Sequence, residues 1–267
     1  MKIITTERGV KLLLPEWDVP SHVQAIISTR HGGVSKAPFA SLNLGDHVGD
    51  DSRDVLTNRS LIRQELVSDP IWLKQVHGTQ IWDGQPSLME ADGAVTNHAH
   101  QTLSIMTADC MPILICDALG ETLGACHGGW RGLALGVIDQ TLQHMVKKQK
   151  PDHPKQYLSQ MKIYLGPTIG PQYFEVAQDV LQVFAKILPL SVIHDCFKPS
   201  QNPEKYLVNL FEIARYQLLR LGVEQIYSEE ICCYSHEDLF YSHRRDKQTG
   251  RFASFLWKSD LSPQLGI

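Results

Sequence analysis

The stretch from Thr102 to Lys148 constrains the fold most, because it is the most apolar part of the chain and changes period along its length. "TLSIMTADC" and "PILICDALGETLGACH" read as short β-rich runs, split at Pro112 and again at the "ALGE" turn around Gly120. The second split predicts a hairpin. From Leu133 to Lys148 apolar residues recur at 133, 137, 138, 142, 145 and 146, which is the spacing of a helix.

The flanking segments repeat the mixture. "VQAIIST" (23–29) is β-like, and the 22 residues after it have little periodicity, as in a functional loop. A helix starting at Asp51 or Ser52 puts Val55, Leu56, Ile62 and Leu66 near one face. "IWLKQVH" (71–77) reads as a strand ending at a histidine, and "KQKPDHPKQ" as a surface connection. "MKIYLGPTIGP" is a strand running into a Gly/Pro loop, and a helical stripe over 176–188 carries Val180, Leu181, Phe184, Ile187 and Leu188. "NLFEIARYQLLRLGV" is a helix with Asn209 as N-cap, Glu212 at N3 and Gly222 just past its end. "EQIYSEEICCY" is strand-like, and "SHRRDKQTGRFASFLW" gives a basic turn and a last strand. Strands and helices without regular βαβ alternation favour an α+β fold, an α/β sandwich of mixed sheets flanked by helices, with 1–267 as a single domain.

A chain of 267 residues buries a sizeable core. Its net charge of -4 and pI near 6.3 give no electrostatic case for a nucleic-acid partner. Lys147, Lys148 and Lys150 read as a solvated helix end. The N-terminus lacks an apolar signal core, and no run approaches the roughly 20 apolar residues of a membrane span. Six cysteines without disulfide-framework spacing fit a reducing, cytoplasmic setting.

Three side chains close three of the β-like runs: His77, Cys110 and His127. If those runs are neighbours in one sheet, their ends meet at one rim, where adjoining loops commonly hold active sites. One thiolate and two imidazoles make three zinc ligands and leave a fourth position for water or substrate, the open pattern of a catalytic site. Cysteine is also among the most buried residue types, and a strand-end histidine is often only bonded to backbone. His127 leads through Gly128 and Gly129 into a helix start. Those glycines suit either an anion cradle, completed by Arg131, or a tight strand-to-helix turn.

"STRHGGVS", "SLNLGDHVGDD", "WLKQVHG", "ADGAVT", "TADCMPILI", "GACHGGWRGLALGV", "LGPTIGP", "FEV" and "HRRDKQTGRFA" run in order from about residue 22 to 257. Together they resemble the YfiH family, also called the multicopper polyphenol oxidoreductase or laccase-domain family. The family's "HAGWRG" is "HGGWRG" here, and its "CTY" is Cys232-Cys233-Tyr234, whose cysteines are read as structural. The resemblance implies an α/β sandwich of cysteine-hydrolase type, related to a cysteine-dependent toxin deamidase fold. It implies zinc held by His77, Cys110 and His127, with Cys110 also the catalytic cysteine. The implied activity is phosphorolysis of purine nucleosides (adenosine, inosine, guanosine, 5′-methylthioadenosine), with adenosine deamination as a further activity. For some bacterial members it implies instead an editing hydrolase that removes wrongly incorporated serine from peptidoglycan precursors.

Phosphorolysis needs a held phosphate and a stabilised, oxocarbenium-like sugar. Arg131 with the Gly128 and Gly129 amides fits the phosphate. Arg30, Asn43, Arg244 and Arg245 are further polar candidates, and a solvated turn accounts equally for the last two. Asp109 is the first candidate proton carrier and Glu175 the second; either can instead orient neighbours. The His-x-Glu and Pro-Cys-x-x-Cys signature of zinc deaminases is absent, so deamination here needs another scaffold. Twelve histidines with one His-x-His, at 98 and 100, are a poor match to a multicopper oxidase. Met111 points to the opposite strand face from Cys110 and is a poor axial copper ligand. Cu²⁺ therefore ranks behind Zn²⁺, although a His₂Cys site binds copper readily. Without a metal, Cys110 activated by His77 or His127 is the nucleophile of an amidase. A non-catalytic ligand-binding module is the third class. The leading expectation is a zinc enzyme taking a purine nucleoside and phosphate.

Overall fold

The computed structural model describes residues 1–87 and 89–260. Its strands are β1 (Lys2–Thr5), β2 (Lys11–Leu14), β3 (Val23–Ser28), β4 (Pro70–Ile71), β5 (Ile81–Trp82), β6 (Gly93–Thr96), β7 (Thr102–Thr107) and β8 (Met111–Cys116). They continue with β9 (Leu123–Gly128), β10 (Lys162–Leu165), β11 (Glu175–Ala177), β12 (Phe197–Pro199), β13 (Lys205–Val208), β14 (Gln225–Tyr227) and β15 (Phe252–Lys258). The helices are α1 (Ser52–Arg63), α2 (Trp130–Leu135), α3 (Val137–Gln149), α4 (Pro154–Ser159), α5 (Gln178–Ala185), α6 (Leu190–Cys196), α7 (Leu210–Arg220) and α8 (His243–Asp246).

Two six-stranded mixed sheets, in the orders β1-β2-β3-β15-β7-β4 and β14-β10-β8-β9-β6-β5, pack through β7 and β15 against β8 and β9. A three-stranded sheet, β11-β13-β12, joins α5 and α6 at one side. Every residue of β7, β8 and β9 is buried, which explains their near-continuous apolar character. The outer face of the first sheet packs Leu12, Ile26, Met106 and Phe255 against Ile62 and Leu66 from α1 and its C-terminal side. The outer face of the second is covered by α3. This is the expected α/β sandwich of mixed sheets. No helix among the described residues is long and apolar enough to cross a membrane.

Local signals set several elements. The Asp51 carboxylate caps α1 by accepting from the Arg53 N–H, and the Asn209 side chain caps α7 by accepting from the N–H groups of Phe211 and Glu212. The hairpin between β8 and β9 forms as expected.

Other expectations are corrected. The run 71–77 is a strand only to Ile71; beyond it the N–H groups of Val76, His77 and Gly78 turn to the Asp92 carboxylate instead of a neighbouring strand. Leu56 is 65% exposed and does not join the buried face of α1. Pro112 lies inside β8 without splitting it. Its carbonyl still accepts from the Gly166 N–H just past the end of β10, which keeps the two strands joined at this position. The helix expected over 133–148 is two helices, broken at Gly136 in the left-handed region (φ 91). The apolar spacing runs across that break, so periodicity alone does not show it. The segment 176–188 opens with β11 before α5, the surface connection folds into α4, and the basic turn folds into α8.

Gly136 joins the helix behind His127 to the helix that covers the sheet. A Cβ there meets nothing within 4 Å, so Gly136→Ala tests backbone strain alone. Urea unfolding is expected to show a loss of about 1–2 kcal/mol for this variant.

Candidate metal centre and cationic cleft

Cys110 sits in the tight connection from β7 to β8, where the chain crosses from one sheet to the other. The preceding residue, Asp109, holds φ at 95 and is pinned from two directions. Its carbonyl accepts from the Ile169 N–H and the Thr168 hydroxyl. Its carboxylate accepts from the Ser242 hydroxyl at 2.6 Å, the Arg244 N–H at 2.6 Å and the Cys233 thiol. A non-glycine residue at positive φ is strained and persists only where its surroundings overdetermine it. His77, at φ 61, is the second such residue here.

His127 lies on β9 and meets Asp92, which precedes β6. The His127 Nδ1–H donates to Asp92 Oδ1 at 2.9 Å, and the His127 N–H donates to the Asp92 carbonyl at 2.7 Å. Asp92 also accepts from the backbone N–H groups of Val76, His77 and Gly78. One carboxylate thus places both histidines. The His77 and His127 rings stand edge to face at 4.6 Å, and His77 Nε2 is 3.7 Å from Cys110 Sγ. One ligand atom from each of His77, Cys110 and His127 lies within 4.8 Å of the others, so the three form a group able to hold a metal ion. They do not share one sheet rim as expected; the group sits where the two sheets exchange the chain.

The donor set suits a metal. The Asp92 bond at Nδ1 leaves Nε2 of His127 to face Cys110, the usual orientation of a metal-ligating imidazole by a carboxylate. Gly129 provides the clearance: a Cβ there would lie 2.8 Å from His77 Cδ2 and 3.0 Å from Cys110 Sγ. Burial opposes ionisation of Cys110, but His127 and His77 outweigh it and draw the thiol down. Burial equally opposes charge on His127, and Cys110 with Asp92 outweighs it and raises the imidazole. Cys116 and Cys126, buried without such neighbours, are pushed up to about 12. Cys110 is the sulfur prepared to be anionic.

The group opens into a cleft of about 450 Å³, within the range of small-ligand pockets. Its wall includes His47, Asp109, Arg131, Phe174, His243, Arg244 and Arg251. Of the residues singled out from sequence, His77, Asp109, Cys110, His127, Arg131 and Arg244 meet here. The others do not line the cleft. Arg30 lies over the Tyr241 ring and donates to the carbonyls of Ala40 and Glu237. Arg245 donates to the carbonyls of Cys233, Tyr234 and Phe240. The buried Asn43 side chain bonds Gly45, Asp50 and the Arg251 N–H. The Glu175 carboxylate is taken up by Ser200, Asn202 and Lys205, and Gly128 is buried in β9 against Met111 and Ile113. Sequence reasoning missed Asp92, Arg251, His47, His243 and Phe174. All five lie inside quoted motifs, Asp92 in "ADGAVT", His47 in "SLNLGDHVGDD", Phe174 in "FEV", and His243 and Arg251 in "HRRDKQTGRFA", but their letters alone do not reveal what they face.

Residues 24–259 match the family described as multi-copper polyphenol oxidoreductase laccase. The chain is 39% identical over 249 residues to a protein of Pseudomonas aeruginosa named purine nucleoside phosphorylase, covering 93% of this chain and 98% of that one. It is 40% identical over 256 residues to the Escherichia coli purine nucleoside phosphorylase YfiH, covering 92% and 98%. Among solved structures it resembles a Neisseria meningitidis protein of the DUF152 group, with a TM-score of 0.84, 36% identity and coverage of 93% and 99%. It also resembles YlmD of Geobacillus stearothermophilus, with a TM-score of 0.81, 32% identity and coverage of 91% and 96%.

Asp92→Asn keeps the side-chain size but removes the charge behind His127. Competition with a chromophoric chelator is expected to show Zn²⁺ binding weakened by about 10–100-fold, the usual effect of losing such a partner. Unchanged affinity would mean that Asp92 serves the fold alone.

Proposed function

The chain belongs to the multi-copper polyphenol oxidoreductase laccase family, and from that membership and the geometry of its cleft we propose that it is a zinc-dependent purine nucleoside phosphorylase. The observation that carries this reading is one sulfur and two imidazoles gathered at the end of a small cleft whose wall carries three arginines. The names of the Pseudomonas and Escherichia relatives support the substrate class. A single three-ligand group is found among the described residues, which suits one open zinc site and falls short of the ligands that several coppers need. When bound by His77, Cys110 and His127, zinc supplies Lewis-acid polarisation of an oxygen or nitrogen on the substrate.

In phosphorolysis an oxygen of inorganic phosphate attacks C1′ of the ribose as the bond from C1′ to the purine nitrogen breaks. The bonding electrons leave with the base, and the sugar passes through an oxocarbenium-like state. The protein must therefore hold a dianion close to a developing cation, and protonate the departing base. Arg131 is exposed at the cleft and stacks on Trp130 at 4.4 Å, where it draws anions inward. Phe174, buried with the Arg244 guanidinium over its ring at 5.4 Å, supports that arginine on the cleft wall. Asp109 accepts three hydrogen bonds at its carboxylate and is committed to holding the Cys110 turn and α8 rather than to carrying a proton. The Glu175 carboxylate does not line the cleft and is taken up by Ser200, Asn202 and Lys205. With Asp109 committed, the imidazoles of His47 and His243 on the wall outside the metal set serve the departing base.

The relay Asp92–His127 beside Cys110 also has the form of a cysteine hydrolase, which favours a metal-free amidase as the second reading. One experiment separates them. Incubation with adenosine, inosine, guanosine or 5′-methylthioadenosine and phosphate is expected to release free base and ribose 1-phosphate by liquid chromatography. Chelation should abolish turnover, Zn²⁺ should restore it, and Cys110→Ala should lower kcat/KM by at least about 100-fold. Inosine formed from adenosine in the same assay reports deamination. Full turnover in chelated protein, or in Cys110→Ala, overturns the zinc reading.

A further inference from the structure

Three arginines close to the chain's C-terminal strand use their guanidinium groups in two ways. Arg245 gives its Nε–Nη2 edge to Asp246, at 2.8 Å from each carboxylate oxygen, and does not line the cleft. Arg244 and Arg251 do line it. Each is hydrogen-bonded through Nη1 alone, by two main-chain carbonyls, and the Arg244 guanidinium also lies over the Phe174 ring at 5.4 Å from its centroid. Arg244 Nη1 donates to Glu175 at 2.8 Å and Tyr173 at 3.3 Å; Arg251 Nη1 donates to Gly250 at 3.0 Å and Thr249 at 3.1 Å. Among the described residues, the Nε–Nη2 edge of each has no hydrogen-bond or ion-pair partner.

That edge is the fork that matches a carboxylate or a phosphate with two parallel N–H bonds. In Arg245 the protein fills it; in the other two it leaves the fork free while fixing the plane of the group. A pinned guanidinium loses little further freedom on binding, so its bonds to a ligand are not offset by side-chain ordering. Burial pulls the Arg251 guanidinium below its ordinary value against the opposing charges of Cys110 and Asp109, and no carboxylate among the described residues forms an ion pair with it. Arg244 is tied to the metal group through its backbone, because its N–H holds the Asp109 carboxylate next to Cys110. Arg131 lacks these traits: it is exposed and rests on Trp130.

We propose that Arg244 and Arg251 form a two-fork oxyanion site that holds the inorganic phosphate co-substrate. This deepens the phosphorolysis reading and rests on it for the identity of the anion. Two forks supply four N–H donors to a dianion, and both belong to the wall of the cleft into which the metal group opens.

The test titrates inorganic phosphate into the full-length zinc-loaded chain by isothermal calorimetry. Arg244→Met and Arg251→Met are each expected to weaken phosphate binding by about 10–100-fold, the loss that follows removal of a charged bidentate contact. In the nucleoside assay the same variants should raise KM for phosphate by a similar factor and leave KM for the nucleoside nearly unmoved. Arg244→Lys and Arg251→Lys keep the charge without the fork and should recover only part of the loss. They decide the matter if a Met variant does not fold. Wild-type phosphate affinity in either Met variant, or in both Lys variants, overturns the proposal, as does a wild-type chain that does not bind phosphate. A wild type that binds phosphate through these arginines but cleaves no nucleoside refutes phosphorolysis and supports the anion site. A wild type that cleaves nucleosides while the variants bind phosphate normally does the reverse.

Discussion

The candidate centre depends on a carboxylate buried away from water. Taking an ionised carboxylate out of solvent costs several kcal/mol unless hydrogen bonds replace its hydration. Asp92 is 0% exposed and receives four: three backbone N–H groups from the loop after β4, and the imidazole of His127. Burial works against its charge, and His127 with the N–H groups of Gly78 and Val76 outweighs that cost, so the group stays ionised. The compensation has structural consequences. Three consecutive N–H groups can converge on one carboxylate only if the chain curls around it, which forces His77 into the left-handed region. The same oxygen that accepts from His77 N–H fixes the tautomer of His127. A loop belonging to the first sheet is thereby locked onto a strand of the second.

The parts of this arrangement that sequence made legible are those decided within a few residues. The Asp51 and Asn209 caps, the hairpin at Gly120 and the buried stripes of α3 and α7 all follow from local spacing, and the structure has them. The candidate ligands His77, Cys110 and His127 were legible as residue types, and through the order of motifs, but their supposed common rim was not real. "IWLKQVH" alternates well enough to read as a strand. Its hydrogen bonds go to a carboxylate 14 to 16 residues away, and no local pattern announces that. Gly136 escaped for a related reason, since one left-handed residue redirects a helix without disturbing the apolar count around it. The arginines show the limit most plainly. Arg30, Arg244, Arg245 and Arg251 are the same letter, and what separates structural from available ones is whether carbonyls and carboxylates consume the fork.

A second carboxylate organises the other wall. Asp109 read as a proton carrier because it adjoins Cys110, but three donors at its oxygens make it a strut. It couples the β7–β8 turn to α8, and so sets Cys110 against Arg244. Its charge also reaches Cys233, whose thiol is pushed up first by burial and then by this neighbour, opposite to the direction at Cys110. Asp92 thus fixes the two imidazoles, and Asp109 fixes the sulfur relative to the arginine wall.

This division answers an electrostatic difficulty. A free thiolate at Cys110 and unpaired guanidinium groups in a cleft of about 450 Å³ would attract each other, and a carboxylate or sulfur paired with Arg251 would close the site to anions. A cation held by Cys110, His77 and His127 removes that competition, because the sulfur's charge is then spent on the metal. The Nη1 tethers act in the same direction: main-chain carbonyls hold Arg244 and Arg251 in place without neutralising them. Neutral anchors for the arginines and a metal for the thiolate are two halves of one requirement, that positive charge remain available to a ligand arriving from solvent.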